Sequence, residues 1–174
     1  KLALERARAG DVCKIVAWAG PSIDSRRAIR LYEQFDAMDK AEGVQLVAFA
    51  QGPGGGSSRA FAPALGAPWT YVAWPGEPLA PGQLELYEYL PEEIGGNASL
   101  LGVVGNPTKH SRSPLLWMAA FRHNPSLGGA VYHACESDSL QLFMDDCRSR
   151  SFRAFSVTTP FKQDVLDVAD AWTE

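Results

Sequence analysis

The chain has 174 residues, 46% hydrophobic and 21% charged, enough apolar material for one ordinary domain or two small ones. A formal net charge of −4 with both signs interspersed excludes the basic face of a nucleic-acid-binding protein and leaves small molecules as the expected partners. The odd cysteine count (Cys13, Cys135, Cys147), without C-x-x-C spacing, argues against a disulfide framework or metal site and for a reduced, cytoplasmic setting, and no apolar run approaches the ~20 residues of a membrane span.

In chain order, residues 1–9 read as the tail of a helix whose beginning is absent, so the chain is expected to start inside a domain. There follow a strand at 12–19, a helix at 25–41, a strand at 44–50, a helix at 58–65, a strand at 69–74 and a helix at 82–90. Strand–helix units in series imply a parallel sheet, and three units are too few to close an eight-stranded barrel. The polar, glycine-rich, aperiodic stretch 91–99 reads as a linker.

The second half repeats the alternation: strand 100–105, helix 114–124, strand 130–136, helix 139–150, strand 152–158, helix 161–172. Trp117, Phe121 and Phe143 fall at helical spacing as core positions. The last helix reaches the chain end without a glycine stop, so the expectation is that the chain also ends within a larger protein.

Two stretches carry chemistry. In "NPTKHSRSP" Ser113 is a good N-cap and Pro114 a good first-turn residue, which explains helix initiation but not Ser111, Lys109 or His110. A helix start offers unpaired N–H groups and a positive dipole end, and added hydroxyls make it a receptor for a carboxylate or phosphate. In "SVTTPFK" Thr158 and Thr159 end a strand, Pro160 opens a helix, and Lys162 is expected in its first turn, where a cation is electrostatically misplaced. Parallel strands place both helix starts on one sheet edge, where ligands of open α/β folds bind.

"GVVGNPTKHSRSP" and "SVTTPFK", about fifty residues apart, resemble the substrate domain of shikimate dehydrogenases, with signatures G-x-x-G-x-P-x-x-H-S-x-S-P and N-V-T-x-P-x-K. The resemblance implies that Ser111 and Ser113 bind the substrate carboxylate, that Thr158 is a further substrate ligand and that Lys162 is catalytic. Ser156 stands where the motif has asparagine. His110 belongs to the motif and shapes the carboxylate site, whereas His123 and His133 lack ligand spacing and read as structural or exposed. The family's catalytic aspartate and nicotinamide-binding domain would lie beyond Glu174; no G-x-G-x-x-G occurs, and "GPGGGSS" breaks that pattern.

In the first half, "DVCKIVAWA" resembles the strand bearing the Schiff-base lysine of type I 3-dehydroquinate dehydratases, which would be Lys14. Alternation puts Lys14, Val16 and Trp18 on one face. Burial in so apolar a strand would favour the neutral, nucleophilic amine. "GPGGGSSRAF" resembles the family loop whose arginine, here Arg59, pairs with the substrate carboxylate, and "APGQL" resembles its Ala-Pro-Gly-Gln, with Gln83 a ligand to substrate hydroxyls. Leu79 replaces the family's lid serine, and the acid/base histidine that precedes the lysine is missing.

The expected architecture is α/β: residues 1–92 as the last three βα units of a (β/α)8 barrel, 93–99 as linker, and 100–174 as an incomplete shikimate dehydrogenase substrate domain. The expected function is NADP-dependent reduction of 3-dehydroshikimate to shikimate, fused to Schiff-base dehydration of 3-dehydroquinate, with NADP held beyond this chain, no metal, no nucleic acid and no membrane. The alternatives are a non-catalytic shikimate- or quinate-binding module, or a quinate dehydrogenase. Unpaired sheet edges predict self-association of the isolated chain.

Overall fold

The computed structural model describes residues 2–20, 25–86, 99–124, 126, 130–148, 152–171 and 173. It is a mixed α/β structure with parallel pairing throughout its named strands. After a short helix α1 (Leu2–Glu5), strand β1 (Val12–Trp18) pairs with β2 (Gln45–Gln51) in register Val12↔Gln45 through Trp18↔Gln51. The amphipathic helix α2 (Ser25–Asp36) makes the crossover. Its Ala28, Ile29, Tyr32 and Phe35 are buried, the spacing of one helical face. β2 reads as an almost unbroken apolar run and is covered on both faces, as buried parallel strands are. The Tyr32 hydroxyl accepts the Ala48 N–H at 2.8 Å and donates to the Ala48 carbonyl at 2.9 Å, so the phenol satisfies the backbone of β2 from the side.

Helix α3 (Gly56–Phe61) and a 3-10 turn (Pro63–Leu65) follow, then β3 (Val72–Ala73) and β4 (Leu84–Glu85), a second two-stranded parallel sheet. Of the strand expected at 69–74 only two residues pair in parallel, and where a helix was expected over 82–90 the segment begins as β4. The physical cause is a tether: the Pro81 carbonyl accepts the Gly52 N–H at 2.9 Å, and Gly82 turns with φ +73° against the Gly52 backbone. That turn sends Leu84 into the core beside β3 rather than into a helical path. Residues 87–98, which include most of the expected linker, lie outside the described residues.

In the second half, β5 (Ser99–Gly105) lies between β6 (Ala130–Glu136) and β7 (Phe152–Val157), all parallel, in the order β6-β5-β7. Helix α4 (Ser113–His123) links β5 to β6 and α5 (Leu140–Arg148) links β6 to β7. One sheet face, carrying Leu100, Val104, Val131 and Cys135, packs on Leu140 and Phe143 of α5 and on Ile29, Ala60 and Phe61 of the first half, so a single apolar cluster joins the halves. Trp117 is not a core residue: it is 40% exposed and stacks on Tyr132 at 5.7 Å, while Phe143 is buried.

The helix expected over 161–172 is one turn, α6 (Val165–Val168), and Ala169 is already extended. Only Val165 and Val168 of that turn pack on the core, and so short a helix has no stability apart from its packing. No helix among the described residues is long and apolar enough to cross a membrane.

Candidate functional site

Parallel strands bring the ends of β5, β6 and β7 to one edge, and the chain emerging from each is tied there. The Asn106 N–H donates to the Thr159 carbonyl at 2.9 Å, and the Ser137 N–H to the Gly105 carbonyl at 3.1 Å. A methyl group at Gly105 would overlap Thr158 Cγ2 and stand 2.7 Å from the Thr159 carbonyl, so glycine is what lets the two loops cross. The Asn106 amide donates to Asp138, and Glu136 Oε1 accepts the Thr108 N–H at 3.1 Å. Glu136 and Asp138 thus hold the loop that carries Ser111; the sequence signal for them was their place at the end of a strand on this edge.

At the head of α4, Ser113 is not the N-cap. The helix begins at Ser113, the cap position is Arg112 without a side-chain bond, and Ser111 Oγ accepts the Ser113 N–H at 3.3 Å. The capping role falls to Ser111 because two residues back is the reach of a serine Oγ curled over its own backbone. The Ser113 hydroxyl is left without a partner among the described residues. Lys162 also sits differently from expectation: it lies exposed in the turn before α6, where the Phe161 N–H bonds the Thr158 carbonyl, not in the first turn of a long helix. Ser156, on exposed β7, shares its hydroxyl with Tyr132, whose Oη lies 3.3 Å away; nothing in the sequence pattern linked that pair. The structure therefore gathers Ser111, Ser113, Thr158 and Lys162 on one sheet edge.

In the first half, Lys14 departs from the expectation of burial. The Lys14, Val16 and Trp18 face of β1 is exposed, Trp18 by 64%, because β1 has a neighbour on one side only and α2 covers the opposite face. Its Nζ stands 4.3 Å from the Tyr71 ring centroid and 5.8 Å from that of Phe49. Arg59, 3% exposed, lies across the same Phe49 ring at 4.2 Å; burial lowers its pKa, and its Nε has no hydrogen-bond partner. Lys14 and Arg59 are thus brought together around Phe49, a residue the sequence analysis missed. Gln83 faces elsewhere: its Oε1 accepts the Leu79 N–H at 2.9 Å, and its side lines a cavity of about 540 Å³ with Ser111, His110 and His133.

His133, expected to be structural or exposed, is partly buried on the cavity wall against Phe61, and loss of solvation pushes its pKa down to about 4. Its ring meets Phe61 edge-on at 6.0 Å. Burial pushes the Cys135 thiol up to about 12. His110 and His123 are exposed. Among the described residues no three His, Cys, Asp or Glu side chains gather as a metal site.

Two family models match. Residues 2–90 match the type I 3-dehydroquinase family and residues 103–174 the shikimate dehydrogenase substrate binding domain. A bifunctional 3-dehydroquinate dehydratase/shikimate dehydrogenase of Arabidopsis thaliana is 29% identical over 167 residues, 92% of this chain and 26% of that protein. A shikimate dehydrogenase (NADP(+)) of Caulobacter vibrioides is 39% identical over 80 residues, 44% of this chain and 27% of its own. A solved dehydroquinate dehydratase and shikimate dehydrogenase from S. pombe covers 97% of this chain and 31% of its own at 27% identity, with a TM-score of 0.38. The shikimate dehydrogenase of Aquifex aeolicus covers 45% of this chain and 29% of its own at 31% identity, with a TM-score of 0.42. The chain spans about a quarter of the length of the curated relatives it matches.

Proposed function

The chain belongs to the type I 3-dehydroquinase family, and on that premise we propose that it serves a bifunctional shikimate-pathway enzyme, joining dehydration of 3-dehydroquinate to NADP-dependent reduction of 3-dehydroshikimate. The observation that carries the reading is the succession of the two family matches, 2–90 and 103–174, in one polypeptide. In this reading residues 1–92 are the last βα units of a (β/α)8 barrel, 93–99 the linker and 100–174 part of the substrate domain. Barrel closure would then turn the Lys14 face inward, covering Val16 and Trp18.

Each side chain then has a role. The Lys14 amine attacks the substrate ketone; the C–N bond forms and the ketone oxygen leaves as water, the resulting iminium acidifies the adjacent C–H, that proton and the neighbouring hydroxyl leave together as a second water, and hydrolysis of the iminium frees the lysine. Arg59, poised over Phe49 with an unsatisfied Nε, pairs with the substrate carboxylate, and Gln83, which turns away from Lys14 and Arg59 in this structure, would have to swing from the Leu79 N–H to reach the substrate hydroxyls. In the second half Ser111, Ser113 and the α4 N-terminus receive a carboxylate; Thr158 and Ser156 bind ring hydroxyls; Lys162 holds the proton of the oxygen that changes between carbonyl and hydroxyl.

NADP would supply the hydride, and the residues present do not fit it. The glycine-rich turn before α3, 52–56, packs on itself: a methyl at Gly55 would stand 2.5 Å from the Ala50 carbonyl, and one at Gly52 would overlap the Ala19 carbonyl. The glycines there serve close approach of the chain to its own carbonyls, not the cradle of N–H donors that a pyrophosphate needs. The nucleotide is therefore assigned to a part of the enzyme other than residues 1–174, and no step is derived through it. Self-association through the two-stranded β1–β2 sheet is part of the same proposal.

Titration of the chain with shikimate, followed by amide chemical shifts, tests the second half. Residues 110–115 and 157–163 are expected to respond with roughly millimolar affinity; shifts confined to residues 1–86 overturn the assignment. Borohydride reduction with 3-dehydroquinate, in a longer protein that completes the barrel, is expected to add the ligand's mass at Lys14, and attachment at another lysine refutes it.

A further inference from the structure

Tyr71, directly before β3, stands beside Lys14, and its hydroxyl takes no part in the chemistry proposed above. The segment that carries it is pinned: Thr70 Oγ1 donates to the Arg59 carbonyl at 2.9 Å, and the Tyr71 ring lies against Phe49 with centroids 5.6 Å apart. The Lys14 Nζ rests 4.3 Å from the centroid of the Tyr71 ring. Tyr71 is 37% exposed, so a small molecule can reach the phenol and the amine together.

An indole N–H is a donor only, so the 3.3 Å bond from Trp69 Nε1 makes the phenol oxygen the acceptor and leaves its own O–H available to another group. That donor, with Lys14 approaching the same oxygen, holds the phenol's pKa below the ordinary tyrosine value. Arg59, the second cation on Phe49, lies 4.2 Å from that ring, and a guanidinium does not release its proton. The three histidines stand at 110, 123 and 133, in the second half of the chain. The proton-transfer group that Lys14 meets in this structure is therefore the phenol.

We propose that Tyr71 is a catalytic acid–base residue for Lys14, its phenol supplying the proton with which a carbonyl oxygen leaves as water when the Lys14 amine condenses with a ketone or aldehyde. The proposal rests on the preceding reading for Lys14 as the condensing amine. Attack of the amine forms the C–N bond and sends the C=O electron pair to oxygen, and one amine hydrogen follows it. The C–O bond then breaks as the phenol's proton passes to the departing oxygen, which gives water, an iminium and a phenolate. A proton from solvent restores the phenol. Hydrolysis of the iminium runs the same steps backwards, with the phenolate taking a proton from the attacking water, so one phenol serves both directions.

Reductive alkylation of the 174-residue chain with acetaldehyde tests this, with cyanoborohydride in such excess that condensation sets the rate and each lysine is read by peptide mass spectrometry. Tyr71→Phe keeps the ring and removes the acid. Alkylation of Lys14 is expected to slow about 100-fold, the lower end of what a positioned acid–base group contributes, while Lys40 and Lys109 react as before. The ratio of native to variant rates at Lys14 should hold while the phenol keeps its proton and fall toward one as it ionises, at a pH below the usual tyrosine value of about 10. Trp69→Phe removes the indole donor and should move that fall to higher pH. Equal Lys14 rates in the native chain and Tyr71→Phe overturn the proposal. A loss that is the same at every pH also overturns it, since a purely structural contact would give that result. Trapping of 3-dehydroquinate with borohydride, in a longer protein that completes the barrel, separates the two readings. Attachment at a lysine other than Lys14 refutes the dehydratase assignment and this proposal with it. Attachment at Lys14, at a rate that Tyr71→Phe leaves unchanged, refutes only the role of the phenol.

Discussion

Lowering the pH from about 7.5 to about 5 should cost the folded chain about 2 kcal/mol through His133 alone. In the unfolded chain this imidazole takes a proton at the ordinary 6.5, but in the fold burial holds its pKa down at about 4, so between those values the unfolded state binds more protons. Stability is therefore complete above about 6.5, falls as the pH drops through the window, and the loss approaches about 3 kcal/mol by pH 4, at about 1.4 kcal/mol per tenfold difference in proton affinity. The ring meets Phe61 edge-on at 6.0 Å, and a side chain at position 56 would crowd its Nε2. Urea unfolding at several pH values, followed by tryptophan fluorescence, measures the effect for the native chain and for His133→Gln. Every other side chain is common to the two proteins, so the difference between the two curves isolates His133. Its expected form is a gap that changes by about 2 kcal/mol between pH 7.5 and 5. Parallel curves would refute the burial argument, and with it the neutral imidazole at the junction.

Tyr32→Phe leaves the Ala48 N–H and carbonyl of β2 without the phenol that satisfies both, and should destabilise the chain by about 1–3 kcal/mol in urea unfolding; an unchanged midpoint would mean that these groups find other partners. Phe61→Ala removes a ring that is 1% exposed and in edge contact with Phe152 at 5.1 Å and with His133, at a cost of about 3–5 kcal/mol. Because that ring belongs to both halves, amide hydrogen exchange should accelerate in residues 99–105 as well as around α3, and acceleration limited to residues 56–65 would show that the halves are not coupled through it.

The sequence by itself determined the elements that pattern alone can specify. The period-2 and 3.6-residue patterns located β1, β2, β5, β6 and β7 and helices α2, α4 and α5, because a strand or helix long enough to bury one face must repeat its apolar residues at its own spacing. The two motif loops were legible for a related reason: a strand followed by serines or threonines and proline ends at a sheet edge, whatever lies around it. Tertiary structure decided whether a face that the pattern defines is covered. Lys14, Val16 and Trp18 share a face by alternation, yet only the neighbours of β1 determine that it is open. It also decided the short segments. Residues 161–172 keep a single helical turn because only Val165 and Val168 find core to rest on, and 84–85 become strand because a glycine tether to residue 52 delivers them beside β3. Contacts such as Phe61 with His133, Tyr132 with Ser156, and Gln83 facing the Ser111 loop join residues 24 or more positions apart. No local propensity encodes such pairs; they follow from how the finished elements pack.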